Sequence, residues 1–445
     1  MCRALVVGDH GLILLMGIGL AACAKPEVAH VPAADLGQGV VVADAVGGLC
    51  VSVQLDRWDV DHRAAMVAAL QDMGVRELRH DLLWSYVESG RGHWDWTTED
   101  TWVDAASTAG FELIAMTAYG NAWASSDPVA DEFYPPDDPA DFALFAGQAA
   151  SRYAGQIERF EIWNEPNSGF RFWKVGDPPA VSGDPVGYAA LFVPAAEAIH
   201  TAQPNAEVQI GGTFFLPMGI IGGAQFVAEA AASNPDLLDV ADSLAYHPYT
   251  SYPPRVGPEE SGGDAGELAI DEMSAEMRSV GDGLPLAITE AGWPAWGTVD
   301  EELQAAFLTR GFALAQADGI RDYCAYTLED FEDTANPEGA FGLYRYGPEL
   351  DLGQRKPAGD AYAEIASNIE GKDCNGRAES ALGLPAGVYA VRWSGAGGTA
   401  TVLWTTSGEL SVTMPASETM CEEAQTVTVS ESPVWVIEHV CYEAR

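Results

Sequence analysis

Between residues 48 and 369 the chain alternates short apolar runs with stretches whose apolar residues recur at helical spacing. That rhythm constrains the fold more than any other feature, because parallel strands need crossover helices and therefore arrive as strand–helix units. The spacing predicts strands over 48–55, 75–81, 111–118, 157–163, 207–211, 239–246, 285–289 and 321–328. It predicts helices over 61–73, 98–109, 141–153, 188–201, 225–232, 267–279, 302–317 and 359–369. Gly74 and Gly110 fall where a glycine closes a helix. No Gly-rich dinucleotide or phosphate loop follows any of the runs, which weighs against an open doubly wound sheet. The fold class expected is α/β, a (β/α)8 TIM barrel over residues 45–375.

Past Ala378 the texture changes to alternating strands at 388–393, 400–404, 410–414, 426–429 and 434–440, separated by Gly, Ser and Pro turns. Residues 376–445 are therefore expected to form a small all-β, sandwich-like C-terminal domain. At the other end, Arg3 precedes an apolar stretch from Gly11 to Ala22, the length of a signal-peptide core. Leu20-Ala21-Ala22-Cys23 resembles the bacterial lipobox. Residues 1–22 are then a signal peptide, Cys23 carries a lipid anchor and residues 23–44 are a tether; the rival is cleavage at Ala22-Cys23-Ala24, releasing a soluble protein. Either way the protein is expected to be exported, as a cell-envelope lipoprotein or secreted.

Export permits disulfides. Besides Cys2 and Cys23 there are Cys50, Cys324, Cys374, Cys421 and Cys441, too widely spaced for a zinc site. A bridge among the last three is expected, with connectivity open. The formal charge of −44, from 66 acidic against 22 basic residues, repels nucleic acid and favours a neutral or cationic ligand. As a general property such acidity serves solubility or a saline habitat.

The chemistry sits at two strand ends. Glu161-Ile162-Trp163-Asn164-Glu165-Pro166-Asn167 is an apolar and aromatic run ending in an amide and a carboxylate, with Pro166 stopping further ladder pairing. Leu286-Ala287-Ile288-Thr289-Glu290-Ala291-Gly292-Trp293 delivers a second carboxylate in the same way. Strands four and seven of a barrel carry both to the C-terminal rim, where functional groups gather. Paired carboxylates are what glycosidic cleavage requires, one to protonate the leaving oxygen and one to attack or to activate water.

Here the sequence resembles the clan A glycoside hydrolases, most closely families 39 and 5. The resemblance rests on Asn164-Glu165-Pro166 and Thr289-Glu290-Ala291-Gly292-Trp293, together with Val75 to Trp84 and Trp94-Asp95-Trp96. It extends to His247-Pro248-Tyr249, Phe341 to Tyr344 and Lys356-Pro357-Ala358. It implies Glu165 as acid/base, with a proton affinity raised by aromatic surroundings such as Trp163 and Trp173, and Glu290 as an ionised nucleophile. Asn164 would bind the sugar 2-hydroxyl, Arg79 would pair with Glu290, Tyr249 would orient it, and His247 would lie near Glu165. Relatives usually place a Trp at the end of strand eight, whereas this chain has Tyr326.

The substrate-binding set expected on the rim is Arg79, Trp84, Asn121, Trp123, Asn164, Trp173, His247, Tyr249, Trp293 and Tyr326, with Trp296 as a further rim aromatic; Tyr119 reads as core. Singly each has a blander reading: a strand-ending Glu caps a helix, a Trp fills core, an Arg makes a structural ion pair. The pairing of motifs is what outweighs those readings for the two glutamates. The function expected is a retaining β-glycosidase acting on an oligo- or polysaccharide, without metal or cofactor. Its rivals are a non-catalytic carbohydrate-binding surface lipoprotein and a transglycosylase. Carbohydrate is the expected partner, and contact with membrane is expected only through Cys23.

Overall fold

A computed structural model describes residues 48–439, leaving aside 58–59, 128, 216–219, 251–256, 262–267, 348–351 and 416–423. The signal peptide, Cys23, the tether, Cys421 and Cys441 lie outside the described residues.

Eight parallel strands close into a barrel: β1 (Leu49–Ser52), β2 (Glu77–Leu83), β3 (Glu112–Ala118), β4 (Arg159–Ile162), β5 (Glu207–Phe214), β6 (Ser243–His247), β7 (Leu286–Ala291) and β8 (Tyr323–Tyr326). Each pairs with its sequence neighbours, and β1 closes the ring on β8 with Ser52 opposite Tyr326. The surrounding helices are α1 (Val60–Asp72), α2 (Thr97–Thr108), α3 (Pro139–Arg152), α4 (Pro185–Ala202), α5 (Gly223–Ser233), α6 (Ile270–Val280), α7 (Glu301–Ala317) and α8 (Pro357–Ile369). Local sequence explains several starts. Asp138 and Asp184 each precede a proline and accept from the backbone N–H of the residue after it, Ala140 and Val186, and Asp300 caps α7 through Leu303 N. Gly74 and Gly110 adopt the left-handed conformation expected of helix stops.

Two expectations shift. Asp239 belongs to a short helix, Asp236–Val240, and β6 begins only at Ser243, because the polar Asp236 and Asp239 favour a helix N-terminus over a buried strand. Lys372–Arg377 forms a strand, β9, that the sequence reading passed over and that runs across the residue-375 boundary. Its alternation of half-buried and exposed polar residues suits a sheet edge and carries no apolar signal.

β9 leads a four-stranded antiparallel sheet with β10 (Val388–Gly395), β11 (Gly398–Thr405) and β14 (Val434–His439), beside a hairpin of β12 (Leu410–Met414) and β13 (Gln425–Val429). The two faces of the sheet do different work. Val391, Trp393, Val402 and Trp404 join the core of the barrel, with Trp393 stacked at 6.4 Å on Phe312 of α7. Val388, Ala390, Leu403 and Val436 point the other way and enclose a smaller core with Val412, Met414 and Val429 of the hairpin.

The barrel wall holds one covalent tie. Cys50 of β1 and Cys324 of β8 form a disulfide, both fully buried, between residues opposite each other in register. Cys374 bonds to no described cysteine and burial raises its thiol to about 11.

Candidate active site

The mouth of the barrel at the C-terminal strand ends holds a cavity of about 330 Å³, lined by Asn164, Glu165, Tyr249, Glu290, Trp293 and Tyr326 among others. Glu165 is reached through a bend: Trp163 and Glu165 both take positive φ, 70° and 43°, a conformation that non-glycine residues rarely adopt and that marks a strained, over-determined turn. The turn is held by Glu165 N donating to Gly212 O at 3.0 Å, Trp163 N to Thr117 O at 2.9 Å and the Trp163 indole to Phe172 O at 2.7 Å. It fits because β5 presents Gly211 and Gly212 to it. A side chain at Gly211 would come within 2.4 Å of the Ile162 and Trp163 carbonyls.

Arg79, at the middle of β2, organises the charges. Its Nε and Nη2 donate to Glu161 at 2.7 and 3.0 Å, Nη1 to Glu290 at 2.7 Å and Ser52 at 3.4 Å, and Nη2 to Asn164 Oδ1 at 2.8 Å. All five donors of the guanidinium are thus engaged. Burial works against its charge, but Glu161 and Glu290 hold it firmly protonated. Glu290 receives a second donor, Tyr249 OH, at 3.0 Å. Burial alone would push the Glu290 carboxyl up; the charges of His247 and Arg79 and the bonds from Tyr249 and Arg79 more than offset this and hold it below the usual carboxylate value. Tyr249 itself stays a donor, since burial and the Glu290 charge raise its phenol well above the ordinary range.

Glu165 meets a different partner. His247 Nδ1 lies 2.9 Å from Glu165 Oε1 and 3.7 Å from Glu290 Oε2, and Nε2 lies 3.1 Å from Thr289 Oγ1. The imidazole is thus held between the Glu165 carboxyl and the Thr289 hydroxyl, which can donate or accept. One oxygen of Glu165, one of Glu290 and one nitrogen of His247 lie within 4.8 Å of one another, so these three residues could hold a cation. Both Glu290 oxygens already accept hydrogen bonds from Arg79 and Tyr249, an arrangement suited to a free carboxylate rather than to a metal ligand.

The structure brings together Glu165, Glu290, Arg79, Asn164, His247, Tyr249, Trp293 and Tyr326. Asn164 uses its oxygen on Arg79, leaving its amide nitrogen without a described partner at the cavity wall. Trp293 lines the cavity with its indole N–H bonded to Thr250 at 3.0 Å, and Tyr326 lines it edge-on to Phe341 at 5.5 Å.

Four expected substrate contacts lie elsewhere. Trp84 is fully buried, donates to Glu88 at 2.7 Å and packs among Trp123, Phe142 and Phe145. Asn121 and Trp123 both donate to the Glu88 carbonyl, at 2.7 and 3.0 Å, so they brace a loop. Trp173 is buried against Trp163 at 4.7 Å and Tyr188 at 5.7 Å. Trp84 and Trp173 are buried and Trp123 partly so, which places these rings in a layer behind the rim. Trp296 is also outside the cavity lining and donates to Ala335 O at 3.0 Å.

The aromatic lining is instead Tyr119, Phe172, Phe214, Phe331 and Phe341, together with Tyr249, Trp293 and Tyr326. Sequence reasoning also missed Glu161, Gln54 and Arg171. Glu161 had a signal: a carboxylate two residues before Trp163, in an otherwise apolar buried strand, must have a buried cationic partner.

No protein-family model matches the sequence, and no curated protein matches it by sequence. Solved structures do match. A family 39 glycoside hydrolase from Bacteroides cellulosilyticus WH2 superposes with a TM-score of 0.67 over 89% of this chain and 81% of its own, at 20% identity. The chain shares its fold with this glycoside hydrolase structure. A family 39 β-xylosidase from Caulobacter crescentus shares this glycosidase fold with a TM-score of 0.59 and 19% identity over 84% of this chain and 82% of its own. A family 30 endoxylanase from Clostridium papyrosolvens C71 does so at 0.57 and 12% identity, over 89% and 97%. At these identities the glycosidase fold is what is held in common.

Proposed function

We propose that this chain is a retaining β-glycoside hydrolase working by double displacement, with Glu165 as acid/base and Glu290 as nucleophile. The observation that carries the reading is the separation of the two carboxylates: an oxygen of each lies within 4.8 Å. Retaining enzymes set their carboxyl groups roughly 5–5.5 Å apart and inverting ones about 6.5–9.5 Å, and so close an approach of two oxygens supports the shorter spacing. In the first step Glu165 gives its proton to the leaving oxygen as Glu290 attacks the anomeric carbon and the glycosidic bond breaks. In the second, Glu165 takes a proton from water, which displaces Glu290 and frees the sugar.

The electrostatics support this division of labour. Glu290 is ionised and held by two donors, Arg79 and Tyr249, while Glu165 is hydrogen-bonded to the His247 imidazole. The Asn164 amide nitrogen is the donor placed to bind a sugar hydroxyl beside Glu290. Because solved structures of this fold include a β-xylosidase and an endoxylanase, an aryl β-xyloside is the first substrate to try, followed by the glucoside and galactoside.

The test is covalent trapping. A 2-deoxy-2-fluoro glycoside of the accepted sugar should label Glu290, found by mass spectrometry of the digested protein, and Glu290→Ala should lose both label and turnover. Labelling elsewhere, or wild-type turnover by Glu290→Ala, overturns the assignment. Glycan binding without turnover would favour the carbohydrate-binding reading, and products longer than the substrate would favour a transglycosylase. Export with a lipid on Cys23 is likewise a proposal, supported by Leu20 to Cys23 and by the Cys50–Cys324 disulfide, which suits an oxidising compartment. Loss of membrane association in Cys23→Ala tests it. A separate sandwich-like C-terminal domain is also a proposal, tested by whether the barrel still folds when the chain is cut before β9, at residue 371.

A further inference from the structure

In the closed ring, three strands separate β4 from β8 on either side, so the loops that follow them stand on opposite walls of the barrel mouth. A contact between those loops therefore has to span the opening. Such a contact exists: Arg171 Nη2, after β4, lies 3.6 Å from Glu338 Oε2, after β8, and both residues line the cavity.

Each end of this bar is backed. The Arg171 guanidinium lies over the Phe172 ring at 4.6 Å. Its loop is pinned by Gly183 N to Asn167 O at 2.8 Å and Gly169 N to Val181 O at 3.0 Å. Glu338 sits in a single helical turn, Pro337–Gly339, capped by Asn336, whose Oδ1 accepts from Glu338 N at 3.1 Å. Gly339 is folded so closely on the Asp333 carbonyl that a methyl group there would come within 2.2 Å of it. The next residue, Ala340, accepts from Ala295 N at 2.9 Å and from Lys356 Nζ at 3.2 Å, which fixes the β8 loop to the β7 side of the rim.

We infer that the Arg171–Glu338 pair bars the mouth against a polymer lying across it, so that the site selects the end of a glycan, or a short glycoside, over the interior of a chain. This rests on the hydrolase reading and narrows it to end-directed cleavage. The cavity volume agrees, since about 330 Å³ lies at the low end of ligand sites, which span on the order of 300–1,000 Å³. The side chains of the pair are 49% and 39% exposed, so the bar is a surface ion pair of modest strength that biases selection without forbidding passage.

The experiment compares turnover of an aryl β-glycoside with turnover of a soluble linear β-glycan of the same sugar, sizing the products. Wild type should release single sugars from oligosaccharides. Arg171→Ala and Glu338→Ala should each raise the ratio of polymer to aryl-glycoside turnover about fivefold, with longer products appearing. The exchanged pair Arg171→Glu with Glu338→Arg should return the ratio towards wild type. Salt should raise the ratio in wild type and not in Arg171→Ala. Longer products from wild type at the outset, or an unmoved ratio in both alanine variants, overturns the inference. If no aryl glycoside is turned over, the hydrolase reading fails and calorimetry decides the bar separately. Affinity level with oligosaccharide length in wild type but rising in Arg171→Ala supports it; affinity rising with length in wild type, or no binding, overturns it.

Discussion

Gly212 lies directly against the His247 imidazole, close enough that a methyl group on its Cα would come within 2.1 Å of Nε2. The same residue donates its N–H to Glu161 at 2.9 Å and accepts from Glu165 N at 3.0 Å. One glycine therefore sets the spacing of three groups around the candidate acid/base. Gly212→Ala should displace His247 and lower kcat about 100-fold through misplacement of Glu165. It should cost about 1–3 kcal/mol of stability from overpacking. In the background of His247→Ala the clash is gone, so the added alanine should then cost little. Equal losses of kcat in both backgrounds would show that Gly212 does not act through His247.

Arg79 and Glu161 should move the acid limb of the pH–rate profile in opposite directions. Arg79 helps hold Glu290 below the usual carboxylate range, so its loss raises the Glu290 value and activity fades at a higher pH as the medium is acidified. Arg79→Lys keeps the charge but cannot serve Glu161, Glu290, Asn164 and Ser52 at once. It should shift the limb of kcat/KM up by about one pH unit and lower kcat/KM on the order of 100-fold. Glu161→Gln removes a negative charge from behind Arg79 and should shift the limb down. Shifts of the same sign in both variants would contradict the Glu161–Arg79–Glu290 relay of charge.

The two glutamates were legible because each ends an apolar run at a strand of known rank, and barrel closure then places strands four and seven on one rim. The aromatic lining was not legible. Phe172 and Trp173 are adjacent, yet Phe172 faces the cavity while Trp173 packs on Trp163. Which of two neighbouring rings faces the cavity is decided by the loop path, which has no period to read. The disulfide was missed for a related reason. Cys50 and Cys324 are 274 residues apart and become neighbours only through closure of β1 on β8, and only in this register.

Stability should fall as the medium becomes less acidic across the range set by Glu99. This residue of α2 is buried, and burial first, with the charges of Asp56, Asp81 and Asp100 added, raises its carboxyl from 4.5 to about 8, against the opposing bond from the Trp102 indole. A carboxyl raised in the folded state stabilises the fold in its protonated form. Its contribution is complete below about pH 4.5 and is lost as pH rises to about 8, a change on the order of a few kcal/mol. Glu99→Gln keeps an oxygen for the Trp102 N–H and cannot ionise. The difference in Tm between variant and wild type should therefore widen in favour of the variant from pH 5 to pH 8, within a range of about three units. A difference that stays constant with pH would mean that Glu99 is charged in the fold throughout.

The Cys50–Cys324 bond joins the first barrel strand to the last across a sequence separation of 274 residues and so closes a loop that contains β2 to β7. In the unfolded chain such a closure removes conformational freedom that the folded barrel does not need, and native disulfides contribute typically about 2–4 kcal/mol. Both cysteines are fully buried, so the bond is shielded from thiols until the barrel opens. Cys50→Ala with Cys324→Ala avoids burying a hydroxyl and should lower the unfolding free energy by about 2–5 kcal/mol, read by denaturant titration. Wild type unfolded under reductant should titrate like the double variant, whereas wild type without reductant should retain the difference. Superimposable curves for oxidised wild type and the double variant would remove the disulfide from the account of how this barrel stays closed.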